Sequence, residues 1–182
     1  MNGLLDPANS LFLCIDMQER LAPAIDGRES VLEKAGILSQ ATDILNIPCI
    51  LTEQAPDGIG HTLPDIRDGM ANADVLSKIH FNACREPGFD VMIQKAGRGQ
   101  VVVAGMEAHV CVLQTVFGLI DWGYEVFVAA DAVGSRKDAD KAVALTRIEG
   151  AGARIVTVEM VCFEWLERSD RAEFRSIHRL VK

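Results

Sequence analysis

The sequence predicts an α/β fold: three layers, doubly wound around a mainly parallel six-stranded sheet. Three observations carry this. Six short runs rich in Val, Ile and Leu punctuate the chain, helically spaced stretches separate most of them, and the runs are continuous rather than alternating. Continuous apolar runs suit parallel strands that are buried on both faces.

The first run is "LFLCI" at 11–15, followed by helical spacing over 30–45. "IPCIL" at 47–51 makes the second strand. Residues 52–73 then break the alternation: rich in Gly, Pro and Asp, they read as a long loop with a short helical turn, and long loops in compact domains are often functional. A third strand at 74–76 leads to a helix at 88–97, and "VVVA" at 101–104 leads to a helix at 110–121 that ends just before Gly123. "EVFVAA" at 125–130 precedes a helix at 138–150, closed by Gly150 and Gly152. "RIVTV" at 154–158 is the sixth strand, and the tail from 160 to 182 reads as one or two amphipathic helices. No repeat or linker interrupts this order, so residues 1–182 are expected to form one domain.

Composition narrows the function. A chain of 182 residues can bury roughly 70% of its unfolded surface, enough for a proper core. The formal charge of −8, with no stripe of Lys and Arg, argues against a nucleic-acid partner. No apolar run approaches the roughly 20 residues of a membrane span, and "MNGLLDPANS" lacks the pattern of a signal peptide. Five scattered cysteines (14, 49, 84, 111 and 162) without CxxC spacing form neither a disulfide framework nor a zinc cage. A soluble protein of the reducing cytoplasm, acting on a small molecule, is expected.

In open α/β sheets ligands bind beyond the carboxyl ends of the strands, where strand order reverses. In the order 3-2-1-4-5-6, strands one and four are neighbours there, which brings together Asp16, ending the first strand, and Cys111, beyond the fourth. Lys78 trails the third strand and is long enough to reach in. Such a trio is chemically useful. A thiol with a pKa of roughly 8.5 is mostly protonated at neutral pH. A helix N-terminus and a nearby ammonium favour its thiolate, and a carboxylate can carry its proton to a leaving group. Backbone N–H groups between Gly105 and Cys111 are placed to hold an oxyanion. Spacing alone leaves plainer alternatives open: Cys111 as a core thiol, Asp16 as a cap, Lys78 as a solvated loop residue.

Other segments offer less. "GAGAR" at 150–154 precedes a strand, the reverse of a dinucleotide fingerprint, and "AGRGQ" at 96–100 lacks the Lys-Ser/Thr of a phosphate loop. His61, His80, His109 and His178 show no ligand spacing, so neither metal nor cofactor is expected. Arg136 and Lys137 read as a solvated helix start. Gln54, His80, Phe81, Met106 and His109 fall on segments leaving the same sheet edge and are candidate pocket residues.

"LFLCIDMQERL", "ILTEQAPDGIG", "LSKIHFNAC", "VVVAGMEAHVCVLQTVFGLIDWGYEVFVAADAVGSR" and "RIEGAGARIVTVEMVCFEWL", in that order, resemble the isochorismatase-like cysteine hydrolase family, especially its small single-domain members. The resemblance implies a six-stranded parallel sheet and a catalytic trio of Asp16, Lys78 and Cys111. It also implies a cis peptide at Met106–Glu107 and an oxyanion hole from the backbone N–H groups of Glu107 and Cys111. "TEQAPDG" stands where metal-dependent nicotinamidases carry an Asp-x-His cluster, and Cys111 stands where true isochorismatases lack the nucleophile. What the resemblance leaves is thiol-dependent hydrolysis of a C–N bond in a small amide or carbamoyl-like substrate. The alternative is a thiol sensor or binding protein on the same fold.

The tail places Val161, Phe163, Trp165 and Leu166 close together, then Phe174, Ile177 and Leu180 at helical spacing. With the α/β layers complete before residue 160, this stripe is expected to be left for an interface, making the protein a homo-oligomer with the dimer as minimal unit.

Overall fold

The structure of the protein, a computed structural model, describes residues 3–70 and 72–182. The first two residues of the expected domain, and residue 71 of the expected long loop, lie outside the described residues. Six strands form one sheet: β1 (Ser10–Ile15), β2 (Cys49–Gln54), β3 (Asp74–Lys78), β4 (Gln100–Met106), β5 (Glu125–Gly134) and β6 (Arg154–Val156). Every pairing is parallel and the order is β3-β2-β1-β4-β5-β6, as expected for a doubly wound sheet.

Helices cover both faces. They are α1 (Arg28–Leu45), α2 (Pro56–Ile59), α3 (Pro64–Arg67), α4 (Phe89–Ala96), α5 (Leu113–Asp121), α6 (Asp138–Gly150), α7 (Val158–Leu166) and α8 (Phe174–Val181). The two-residue period of a strand divides the core in two. Phe12, Cys14, Val102, Ala104 and Phe127 face one apolar cluster with α1, α7 and α8. Leu11, Leu13, Val101, Val103 and Val126 face the other, with α4, α5 and α6.

β5 runs on to Gly134 and β6 stops at Val156, and three further differences from the sequence expectation bear on the site and the core. β2 runs on through Thr52, Glu53 and Gln54, because their polar side chains find buried or half-buried partners instead of solvent. The remainder of the expected loop is two single helical turns, α2 and α3, followed by a 3₁₀ turn at Asp68–Met70. The tail does not stand apart from the core. Val161, Trp165, Leu166 and Ile177 are buried against the α1 layer, and the Trp165 indole donates to the Ser10 hydroxyl at 2.9 Å. The layer over β1 is therefore incomplete without α7 and α8, and most of the apolar stripe closes its own core, with Phe163 left 39% exposed.

One glycine sets how closely β4 approaches β1. Gly105 has φ of 144°, and a Cβ there would lie 2.2 Å from the Ile15 carbonyl oxygen. Gly105→Ala is expected to destabilise the protein by about 1–3 kcal/mol through forced overpacking. Gly36→Ala, within α1 and with nothing within 4 Å of the new methyl group, should stabilise it by up to about 1 kcal/mol. Urea unfolding of both variants checks the contrast.

Candidate active site

The carboxyl ends of β1 to β4 converge on a buried ion pair. Asp16 follows β1 directly with φ of 51°, a left-handed conformation that Asp tolerates better than most residues. Its N–H donates to the Thr52 carbonyl at 3.1 Å. Its Oδ1 accepts from the Thr52 hydroxyl at 2.6 Å, and its Oδ2 accepts from Lys78 Nζ at 2.7 Å. Both charged side chains have 0% exposure.

Lys78 ends β3 opposite Gln54 in the β2–β3 register. Besides Asp16, its ammonium donates to Gln54 Oε1 at 2.7 Å and to the His80 carbonyl at 3.3 Å. An ammonium carries three donors, and here each has an acceptor. Gln54 is itself held. Its Nε2 donates to the Ile79 carbonyl, while the buried Gln18 amide accepts from the Gln54 backbone N–H and donates to the Gln54 and Gly60 carbonyls.

Cys111 completes the cluster from β4. The peptide Met106–Glu107 is cis, and the chain then forms a π-helical turn, Ala108–Val112, before α5 begins. Such turns are rare and recur at functional sites. Cys111 is only 5% exposed. Burial pushes its thiol up to about 12; the Asp16 carboxylate adds to the rise and the Lys78 ammonium opposes it. The lowered thiol expected from the sequence is thus not what the resting site holds, because desolvation outweighs the ammonium.

The five candidate pocket residues divide. Gln54 and the His80 carbonyl belong to the ion-pair shell, while the His80 ring turns to Glu86 Oε2 at 2.8 Å. His109, on the same turn as Cys111, meets the Ser135 hydroxyl at 3.0 Å. Phe81 is 51% exposed and borders a groove of about 630 Å³ with Ile79, Leu113 and Phe117. Met106 is the exception: fully buried, it packs in the cluster under α1 and α7, on the opposite face of the sheet from Cys111. The alternation of β4 puts it there. A cleft of about 440 Å³ opens at the other end of the strands, near Pro48, Cys49 and Asp74, away from the trio.

Thr52 and Gln18 escaped the sequence expectation, although Thr52 and Gln54 alternate onto one face at a strand end, the position where a site forms. Arg136 is solvated as expected, its side chain 61% exposed, but it is not free: its backbone N–H and Nε both donate to Glu107 Oε2, at 3.1 and 2.9 Å. Among the described residues, no group of three or more His, Cys, Asp or Glu is placed to hold a metal ion, and no helix is long and apolar enough to cross a membrane.

Residues 10–160 match the isochorismatase domain family. The chain belongs to the isochorismatase family. It is 35% identical over 180 residues to isochorismatase domain-containing protein 1 of Danio rerio, covering 99% of this chain but 63% of that relative. With isochorismatase domain-containing protein 2 of the same organism it shares 35% identity over 98% of this chain and 90% of the relative. A solved Caenorhabditis elegans structure described as MAR1 ribonuclease superimposes with a TM-score of 0.92 at 36% identity, covering 98% of this chain and 92% of that one. An Escherichia coli protein described as an octameric hydrolase of unknown specificity shares the fold, with a TM-score of 0.92 at 24% identity over 97% and 90% of the two chains. The isochorismatase-family hydrolase fold is thus established for this chain.

The thiols make alkaline pH informative. Burial first raises Cys49 to about 11, and Cys84, Cys111 and Cys162 to about 12, from an ordinary 9.0. Between those values the unfolded chain releases protons that the native protein keeps, so stability is full below about pH 9 and falls as pH rises toward 12. Urea unfolding should show that decline. In the resting protein, alkylation of Cys111 should keep accelerating above pH 9; a plateau reached below pH 8 would contradict the raised thiol.

Proposed function

We propose that the protein is a thiol-dependent amidohydrolase acting on a small amide or carbamoyl-like substrate. The observation that supports this most is the buried Asp16–Lys78 ion pair placed against Cys111, whose thiol feels both charges in opposite senses. Substrate binding brings a carbonyl carbon to Sγ. Asp16 accepts the thiol proton as the C–S bond forms, so a resting thiolate is not required. The carbonyl oxygen gains negative charge, held by the backbone N–H groups of Glu107 and Cys111. Asp16 returns the proton to nitrogen, the C–N bond breaks and the amine or ammonia leaves. Water then gives Asp16 a proton as it attacks the thioester, and its collapse frees the acid and restores the thiol. Lys78 keeps Asp16 oriented and compensates its charge throughout.

The thiol-sensor alternative is weaker, because a thiol raised by burial reacts slowly at rest. Ribonuclease activity, the description given to the Caenorhabditis elegans protein, sits poorly with a net charge of −8. We also propose a reducing compartment, which suits five free thiols, and a homo-oligomer, which would cover Ile79 and Phe81, 74% and 51% exposed beside the site.

Ammonia release from a panel of primary amides and carbamoyl compounds tests the chemistry. Cys111→Ser should lower kcat/KM by about 10²–10⁴-fold with the fold intact. Asp16→Asn should lower it by a similar factor while also destabilising the protein, because Lys78 loses its buried counter-charge. Wild-type turnover in both variants ends the proposal, and RNA cleavage lost in Cys111→Ser would favour the ribonuclease instead. Light scattering that returns a 19.8 kDa particle would refute the oligomer.

A further inference from the structure

Glu107 is gripped at both ends. Its carboxylate, 10% exposed, accepts the Arg136 backbone N–H and Nε on the same oxygen. Its carbonyl accepts the N–H groups of Val110 at 3.0 Å and Val112 at 3.2 Å, on either side of Cys111. The donors to the carboxylate come from the chain just beyond β5, whose last residue, Gly134, pairs with Met106. A second tie runs parallel to the first: Ser135, fully buried, meets the His109 ring on the nucleophile's turn. The end of β5 thus fixes the Cys111 turn at two points, and the first lies on the residue whose own N–H is assigned to the oxyanion.

We propose that Glu107 and Arg136 form a positioning pair that holds the oxyanion-binding turn in its working geometry, an inference that rests on acyl transfer through Cys111. An exposed ion pair contributes little to stability. Here, however, one partner is nearly buried and also satisfies a backbone N–H, so its loss frees the turn as well as an ion pair. The consequence should fall on steps that build negative charge on a carbonyl oxygen, and not on the thiol itself.

Two reagents separate those steps. p-Nitrophenyl acetate acylates a thiol through a tetrahedral oxyanion: Sγ bonds to the carbonyl carbon, the ester C–O bond breaks, p-nitrophenolate leaves and the thiol proton passes to Asp16. Iodoacetamide instead loses iodide as Sγ bonds to its CH₂ carbon and the thiol proton again passes to Asp16, with no oxyanion formed. Acetylation is followed by the p-nitrophenolate burst and the acetyl mass on Cys111; alkylation by the carbamidomethyl mass on Cys111 at the same pH. Arg136→Ala and Glu107→Ala should slow acetylation at least about 10-fold while alkylation stays within about twofold of wild type. Glu107→Gln, which keeps an acceptor oxygen for Arg136, should recover most of the acetylation rate. Should Glu107→Ala fail to fold, Arg136→Ala, which keeps the backbone donor, carries the test. Equal loss in both reactions, or unchanged acetylation in Arg136→Ala, overturns the positioning role. A wild-type protein that takes no acetyl group at all refutes acyl transfer, and the inference with it.

Discussion

The contact between Lys78 and Asp16 governs the upper edge of this sheet. Placing two charges at 0% exposure costs desolvation energy that their attraction recovers only when every remaining hydrogen-bonding group is satisfied. That requirement accounts for much of the surrounding sequence. Thr52 and Gln54 must alternate onto the site face of β2, and the chain after Lys78 must return a carbonyl to the ammonium. Glu86 secures that return by accepting from the backbone of Ile79 and His80 and from the His80 ring. Hydrogen bonding from His80 is the main reason the Glu86 carboxyl lies below its ordinary range. Gln18 in turn fixes Gln54 and the chain at Gly60. Removing one charge would strand the other, which is why such a pair ties together strands far apart in sequence.

The burial that encloses the pair also works against ionisation of the proposed nucleophile, Cys111. A desolvated thiol resists ionisation, and a neighbouring carboxylate makes the resistance greater. In a site with a carboxylate base in place, this is an advantage. Under the proposed mechanism the proton leaves when the substrate arrives, and at rest the sulfur, 5% exposed, is shielded from oxidants and stray electrophiles.

Strand order, helix alternation and the positions of Asp16, Lys78 and Cys111 were legible because each depends on a local pattern: apolar runs, glycines past helix ends, and reactive residues just beyond strands. What was not legible depends on partners distant in sequence. Thr52 reads as the first residue of a long loop until the Asp16 carboxylate is seen 2.6 Å from it. Arg136 is solvated as its sequence suggests, but its partner, Glu107, lies 29 residues earlier and could not be read from local pattern. Met106 was read as lying beyond the fourth strand, but β4 runs on through it and the strand period sends its side chain to the face opposite Cys111. The tail was misjudged because its amphipathic stripe has the same period whether it covers its own core or a second chain.

The central claim is a covalent acyl intermediate on Cys111, and acid-quenched peptide mass spectrometry during turnover of an active amide tests it most directly. The account predicts an adduct of the acyl mass on the Cys111 peptide alone, with Cys14, Cys49, Cys84 and Cys162 unmodified, that builds up before steady state and disappears as substrate is exhausted. Steady hydrolysis with no adduct at Cys111 at any quench time, together with undiminished turnover after Cys111 has been alkylated, would contradict it.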